Sequence, residues 1–114
     1  MLISVAPAAS SYVTLAGVST PTMQAELDKW AAQTLDEASR LVPDEIAAHT
    51  VQATGHAGPV ILKELDRGAY DLVVLGTRGR GRVQEGFLGS VNGYVHFHSK
   101  VPLLSVPDPP SASP

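Results

Sequence analysis

Between residues 76 and 90 the chain carries a pattern able to hold an anion: Gly76, two residues, Gly79, nine residues, then Gly89-Ser90. Glycine lets backbone N–H groups turn toward a ligand and removes the Cβ that would hold a phosphate off. Gly89-Ser90 is expected to open a helix, putting a hydroxyl and free N–H groups where the macrodipole favours negative charge. Arg78, Arg80 and Arg82 add three cations within five residues. Arg78 is the one expected to meet phosphate, while Arg80 and Arg82 read as solvated loop charges. Two other glycine patterns fit worse. A Walker loop needs G-x-x-x-x-G-K-[S/T], and this loop has no lysine. A dinucleotide fingerprint runs G-x-G-x-x-G straight into a helix, whereas here the order is G-x-x-G-x-G with a long stretch before the helix.

Other residues offer less chemistry. His96 and His98 flank Phe97. Metal ligands on one helix face recur at three or four residues, so a spacing of two suits a strand, and this stretch reads as helix. No metal site is expected there, and His49 and His56 read as surface or packing residues. Glu64, Asp66, Asp71 and Glu85 form no evident acid–base pair. No G-x-S-x-G nucleophile elbow occurs. The absence of cysteine excludes a disulfide framework and thiolate chemistry. No constellation argues for an efficient enzyme.

The elements that would position the glycine stretch follow from periodicity and breakers. Asp71 to Leu75 is a short aliphatic run ended by glycine, the mark of a strand covered on both faces. A helix is expected from Ser90, and Pro102 to Val106 reads as the next strand, with proline at its start. Upstream, Met1 to Ala6 reads as a strand and the stretch from Ser10 to Gly17 as a loop. Thr20-Pro21 starts a helix, with Thr20 as N-cap. Met23, Leu27, Trp30, Leu35, Ala38 and Leu41 form its apolar stripe, and Pro43 stops it. Glu45 to Ala53 reads as a strand, Gly55 to Gly58 as a turn, and Pro59 to Arg67 as a helix capped by Gly68. Strands alternating with helices imply an α/β fold: a parallel open sheet with helices on both faces. The last residues, DPPSASP, have the composition of a disordered tail, leaving one domain over residues 1–107.

Composition agrees with a globular protein. The 114 residues suit one domain, at 44% hydrophobic and 17% charged. A net charge of -3 argues against generic nucleic-acid binding, where a basic patch is expected. No apolar run reaches roughly 18 residues, so no membrane span is expected. No secretory leader is evident, so the expected location is cytoplasmic.

The glycine pattern, read as GTRGRG, LGSVN and VPLLSV with GHAGPVILKELDRGAYDLVVLG upstream, resembles the nucleotide-binding branch of the universal stress protein family. The resemblance implies that Gly76, Arg78, Gly79, Gly89, Ser90, Val91 and Asn92 line a site for ATP or a related adenine nucleotide, with Mg2+ escorting the phosphates. Asn92 stands where the family commonly has a small hydroxyl residue. The resemblance also implies a homodimer formed through the last strand, Pro102 to Val106, and a role in stress response. It aligns Met1 to Ala6 with the family's second strand, so the fold is expected to be N-terminally shortened, without the first strand and helix. Direct pairing of Met1–Ala6 with Asp71–Leu75 is then expected to close the sheet. Two further readings stay open: a ligand-free dimerisation or partner-docking module, and a truncated vestigial family member.

Overall fold

The structure is a computed structural model that describes residues 1–9, 19–76 and 85–107, over 85–90 for the backbone alone. The stretch from Ser10 to Gly17, Arg78 to Arg82 and the tail all lie outside the described residues. The element order is β1 (Leu2–Ala6), α1 (Thr20–Arg40), β2 (Thr50–Thr54), α2 (Ala57–Arg67), β3 (Val73–Gly76), α3 (Glu85–His98) and β4 (Leu103–Val106). This is the alternation of an α/β fold, and every strand pair is parallel. The chain divides into two compact units, Met1–Val60 and Ile61–Pro114. Each holds one β-α-β crossover, the connection that parallel pairing requires.

In the first unit β1 pairs with β2 in a register running from Leu2 opposite Thr50 to Ala6 opposite Thr54. The expected start of the second strand at Glu45 is corrected to Thr50. A backbone group needs a partner, and β1 offers only five residues of ladder. Before that, Ile46 N–H donates to Pro43 O in a turn at 3.0 Å.

Helix α1 packs across both strands. Its N-cap is Ser19 rather than Thr20: the Ser19 hydroxyl accepts from the Thr22 N–H, and proline follows within the first two helical positions. The buried stripe also differs from the expected one. Ala31 is fully buried, whereas Trp30 is 42% and Leu41 84% exposed. Trp30 lies one residue, about 100°, around the helix from Ala31. A helix approaches a sheet most closely where its side chain is smallest, so alanine marks the contact and tryptophan falls outside it.

Helix α2 starts at Ala57, two residues before the expected proline. Pro59 is tolerated there because the first four N–H groups of a helix have no helical partner. Gly55 makes the turn from β2 with φ of 139°. Gly68 ends α2, but not as a left-handed cap: Gly55 is the one positive-φ glycine among the described residues. Gly68 N–H donates to Glu64 O, and a Cβ at this position would lie 2.2 Å from the Tyr70 ring. Close approach of that ring is what requires glycine.

In the second unit β3 pairs with β4 from Val73 opposite Leu103 to Gly76 opposite Val106. Val95 of α3 is its fully buried anchor. Direct pairing of Met1–Ala6 with Asp71–Leu75 is not formed. The strands make two separate two-stranded sheets, β1-β2 and β3-β4. Both pairings close shorter loops than β1 with β3 would, since the connection from β1 to β3 contains α1, β2 and α2.

Candidate functional site

Gly76, the first residue of the glycine pattern, is the last residue of β3. Parallel pairing brings the C-terminal ends of β3 and β4 to one side, the side where open α/β sheets bind ligands. Asn92, half-buried on α3, reaches this end from the helix. Its Nδ2 donates to Gly76 O at 3.5 Å, and its Oδ1 accepts from the Ser105 hydroxyl at 3.1 Å. Three elements therefore meet at one amide: the end of the strand, the helix beyond the glycine segment, and the second strand.

Of the seven residues expected to line a site, the structure brings Gly76 and Asn92 together. Arg78 and Gly79 lie outside the described residues. Gly89, Ser90 and Val91 fall within α3, and here the expected helix start is corrected. The helix begins at Glu85, so Gly89 and Ser90 are its fifth and sixth residues. By helix geometry the N–H groups without a helical partner belong to its first four residues, 85 to 88. Glycine within a helix costs only about 1 kcal/mol, so Gly86 and Gly89 do not prevent the earlier start once Val95 anchors the helix.

Ser105 was not singled out from the sequence. The signal was present: it is the one polar residue in the otherwise apolar VPLLSV. Leu72, Val74, Leu104 and Val106, which share the alternate positions of the two strands, are 50%, 54%, 52% and 44% exposed. They make an apolar sheet face open to solvent in this chain.

The corresponding end of the first unit is filled by polar side chains of its own. Gln24 Oε1 accepts from Ala9 N–H at 2.7 Å, and its Nε2 donates to Pro7 O and to Asp28 Oδ1. Thr54 donates to the same carboxylate oxygen, and Gln52 Nε2 donates to Asp28 O. Gln24 and Asp28, one turn apart on α1, thus clamp the chain leaving β1 to the end of β2. Because the Gln24 amide is satisfied at both ends, its work is structural.

Before β3, Tyr70 donates its phenol proton to Glu64 Oε2 at 2.8 Å, and this bond to a carboxylate holds the phenol above its ordinary value. On the last turns of α3 the His98 ring lies 4.4 Å from Tyr94 and 5.0 Å from Phe97. Among the described residues no three histidines or carboxylates converge as metal ligands, and no helix is long and apolar enough to cross a membrane.

Comparison with known proteins bears on this arrangement. The chain is 34% identical over 65 residues to Universal stress protein Slr1101 of Synechocystis sp., a match covering 57% of this chain and 60% of that protein. It is 36% identical over 53 residues to a Universal stress protein A-like protein of Arabidopsis thaliana, covering 46% of this chain and 30% of that one. The chain therefore spans less than two-thirds of either relative. No solved structure matches it. The profile of the Universal stress protein family matches residues 1–107, from β1 through β4 and including the glycine pattern. Parallel β-α-β units, the glycine segment at the end of β3 and this match agree: the chain belongs to the universal stress protein family.

Proposed function

We propose that the chain binds ATP or a related adenine nucleotide through the segment from Gly76 to Ser90, in a stress-response role in the cytoplasm. The observation that carries this reading is the G-x2-G-x9-G-S pattern beginning at the C-terminal end of a parallel strand. The described residues there suit a phosphate ligand: Gly76 has no Cβ to obstruct it, and Asn92 offers an amide N–H donor. Arg78 supplies charge, Gly79 supplies open backbone, and Gly89, Ser90, Val91 and Asn92 supply the helix side. Mg2+ would neutralise the phosphates of bound ATP, and any turnover is slow hydrolysis. Calorimetry of the folded protein with ATP and Mg2+ tests the reading. Binding that is abolished by Gly79→Val with the fold retained supports it, and no heat of binding from the unmutated protein ends it.

A second reading, a dimerisation or docking module, draws on a different observation. The apolar face formed by Leu72, Val74, Leu104 and Val106 is exposed, and β4 pairs on one edge only among the described residues. Unguarded apolar edges invite strand pairing. A homodimer through Pro102 to Val106 is compatible with nucleotide binding, so the two readings can hold together.

A further inference from the structure

The amide of Asn92 sits between two groups of different hydrogen-bonding character. Gly76 O is a carbonyl and can only accept, so the face of the amide turned to it must be the nitrogen. The Ser105 hydroxyl can donate or accept, and it donates to the oxygen that remains. At 3.5 Å the contact to Gly76 is long, whereas the Ser105 bond at 3.1 Å is well within range. The hydroxyl can pair with either end of the amide, so Gly76 O selects which end is nitrogen, and the shorter Ser105 bond holds the side chain in place.

We infer that Ser105 is a positioning residue: it holds the Asn92 side chain at the C-terminal end of β3, where Gly76 O selects the amide nitrogen. An amide nitrogen carries two hydrogens. One meets Gly76 O, which leaves the other as a donor at the end of the strand. A ligand received there must offer an acceptor, such as a phosphate or sugar oxygen. Without the Ser105 bond the side chain is free to swing away from Gly76 and to withdraw that donor from the ligand. Gly76 opens the glycine pattern and Asn92 lies on the helix beyond it, 16 residues later. This role rests on the nucleotide-binding reading for its ligand, but not for its geometry.

Ser105 is exposed on a strand near the end of the fold, so replacing it leaves the core intact. The experiment uses the nitrogen-15-labelled full chain with Ser105→Ala and Ser105→Thr. Two quantities are read: hydrogen exchange of the Asn92 side-chain amide by NMR, and affinities for ATP and for inorganic triphosphate by calorimetry. Ser105→Ala is expected to speed exchange of that amide and to weaken both ligands alike, by roughly threefold to tenfold for one net hydrogen bond. Ser105→Thr, which keeps the hydroxyl, is expected to restore both. Asn92→Asp, which replaces the donor by a carboxylate oxygen, is expected to weaken both ligands further. If the unmutated protein binds neither ligand, the nucleotide reading fails while the amide exchange still decides whether Ser105 holds the Asn92 side chain. Unchanged Asn92 exchange in Ser105→Ala overturns the inference. So does unchanged affinity in that variant when the unmutated protein binds.

Discussion

Gly68 and Tyr70 illustrate how a single residue is chosen by its neighbour rather than by its backbone. Gly68 has no left-handed φ to justify it, yet a Cβ there would overlap the Tyr70 ring. Gly68→Ala is therefore expected to lower the melting temperature by forcing the ring away from Glu64. In a Tyr70→Ala background the sign should invert. With the ring gone, alanine narrows the unfolded ensemble and stabilises by about 0.4–1 kcal/mol. Equal costs in the two backgrounds would show that the ring is not the obstacle. The same phenol gives a pH prediction. Its folded value lies above the ordinary 10.0, raised first by the hydrogen bond to Glu64 and then by desolvation. A raised value means that the stability is fully present below the unfolded value and is lost as pH climbs through the folded one. Urea midpoints of the unmutated protein should therefore fall more steeply at alkaline pH than those of Tyr70→Phe. Parallel curves would rule this coupling out.

At the scale of elements, the ends of α1 and α2 carry the local instructions. Ser19 caps α1 by accepting from Thr22 N–H at 3.3 Å while its hydroxyl donates to Thr22 Oγ1 at 2.7 Å. Ser19→Ala is expected to cost about 0.5–2 kcal/mol, and Ser19→Asp to recover most of it. Chemical denaturation with an unchanged slope is the measurement, and a loss within error would mean that the cap does not matter. Gly55 turns the chain between β2 and α2 at φ 139°, with Val60 Cγ2 only 3.3 Å from where a Cβ would stand. Gly55→Ala is expected to cost about 1–3 kcal/mol, since both backbone and packing oppose it. A Gly55→Ala variant as stable as the unmutated protein would contradict the strain assigned to this turn.

At the scale of the whole molecule, the largest fully buried side chain among the described residues is Val95, while four aliphatic side chains on one face of β3-β4 stay open. Burial contributes about 25 cal/mol per Å2 of apolar surface, so covering that face by a second copy would add stability. Self-association through the last strand is expected at micromolar concentration. Leu104→Lys with Val106→Lys should give a monomer, as measured by light scattering. A monomeric unmutated protein at high micromolar concentration would count against the dimer.

Local chemistry alone determined the element order of this protein and the parallel sense of its crossovers. Apolar runs such as Val73-Val74-Leu75, the proline near the start of α1 and the glycines at turns act over a few residues, so they are legible without a fold. The glycine pattern from Gly76 to Ser90 was legible for the same reason, and with it the family. Only tertiary structure decided the rest. The extent of β2 follows from the five residues β1 offers it, and the buried stripe of α1 from where Ala31 lets the helix approach. The division into two sheets is a matter of which strands pair, with β1 and β2 joined across α1 and β3 and β4 across α3. The meeting of Gly76, Asn92 and Ser105 depends on strands and a helix converging across 16 and 13 residues of chain, a coincidence that no local window contains.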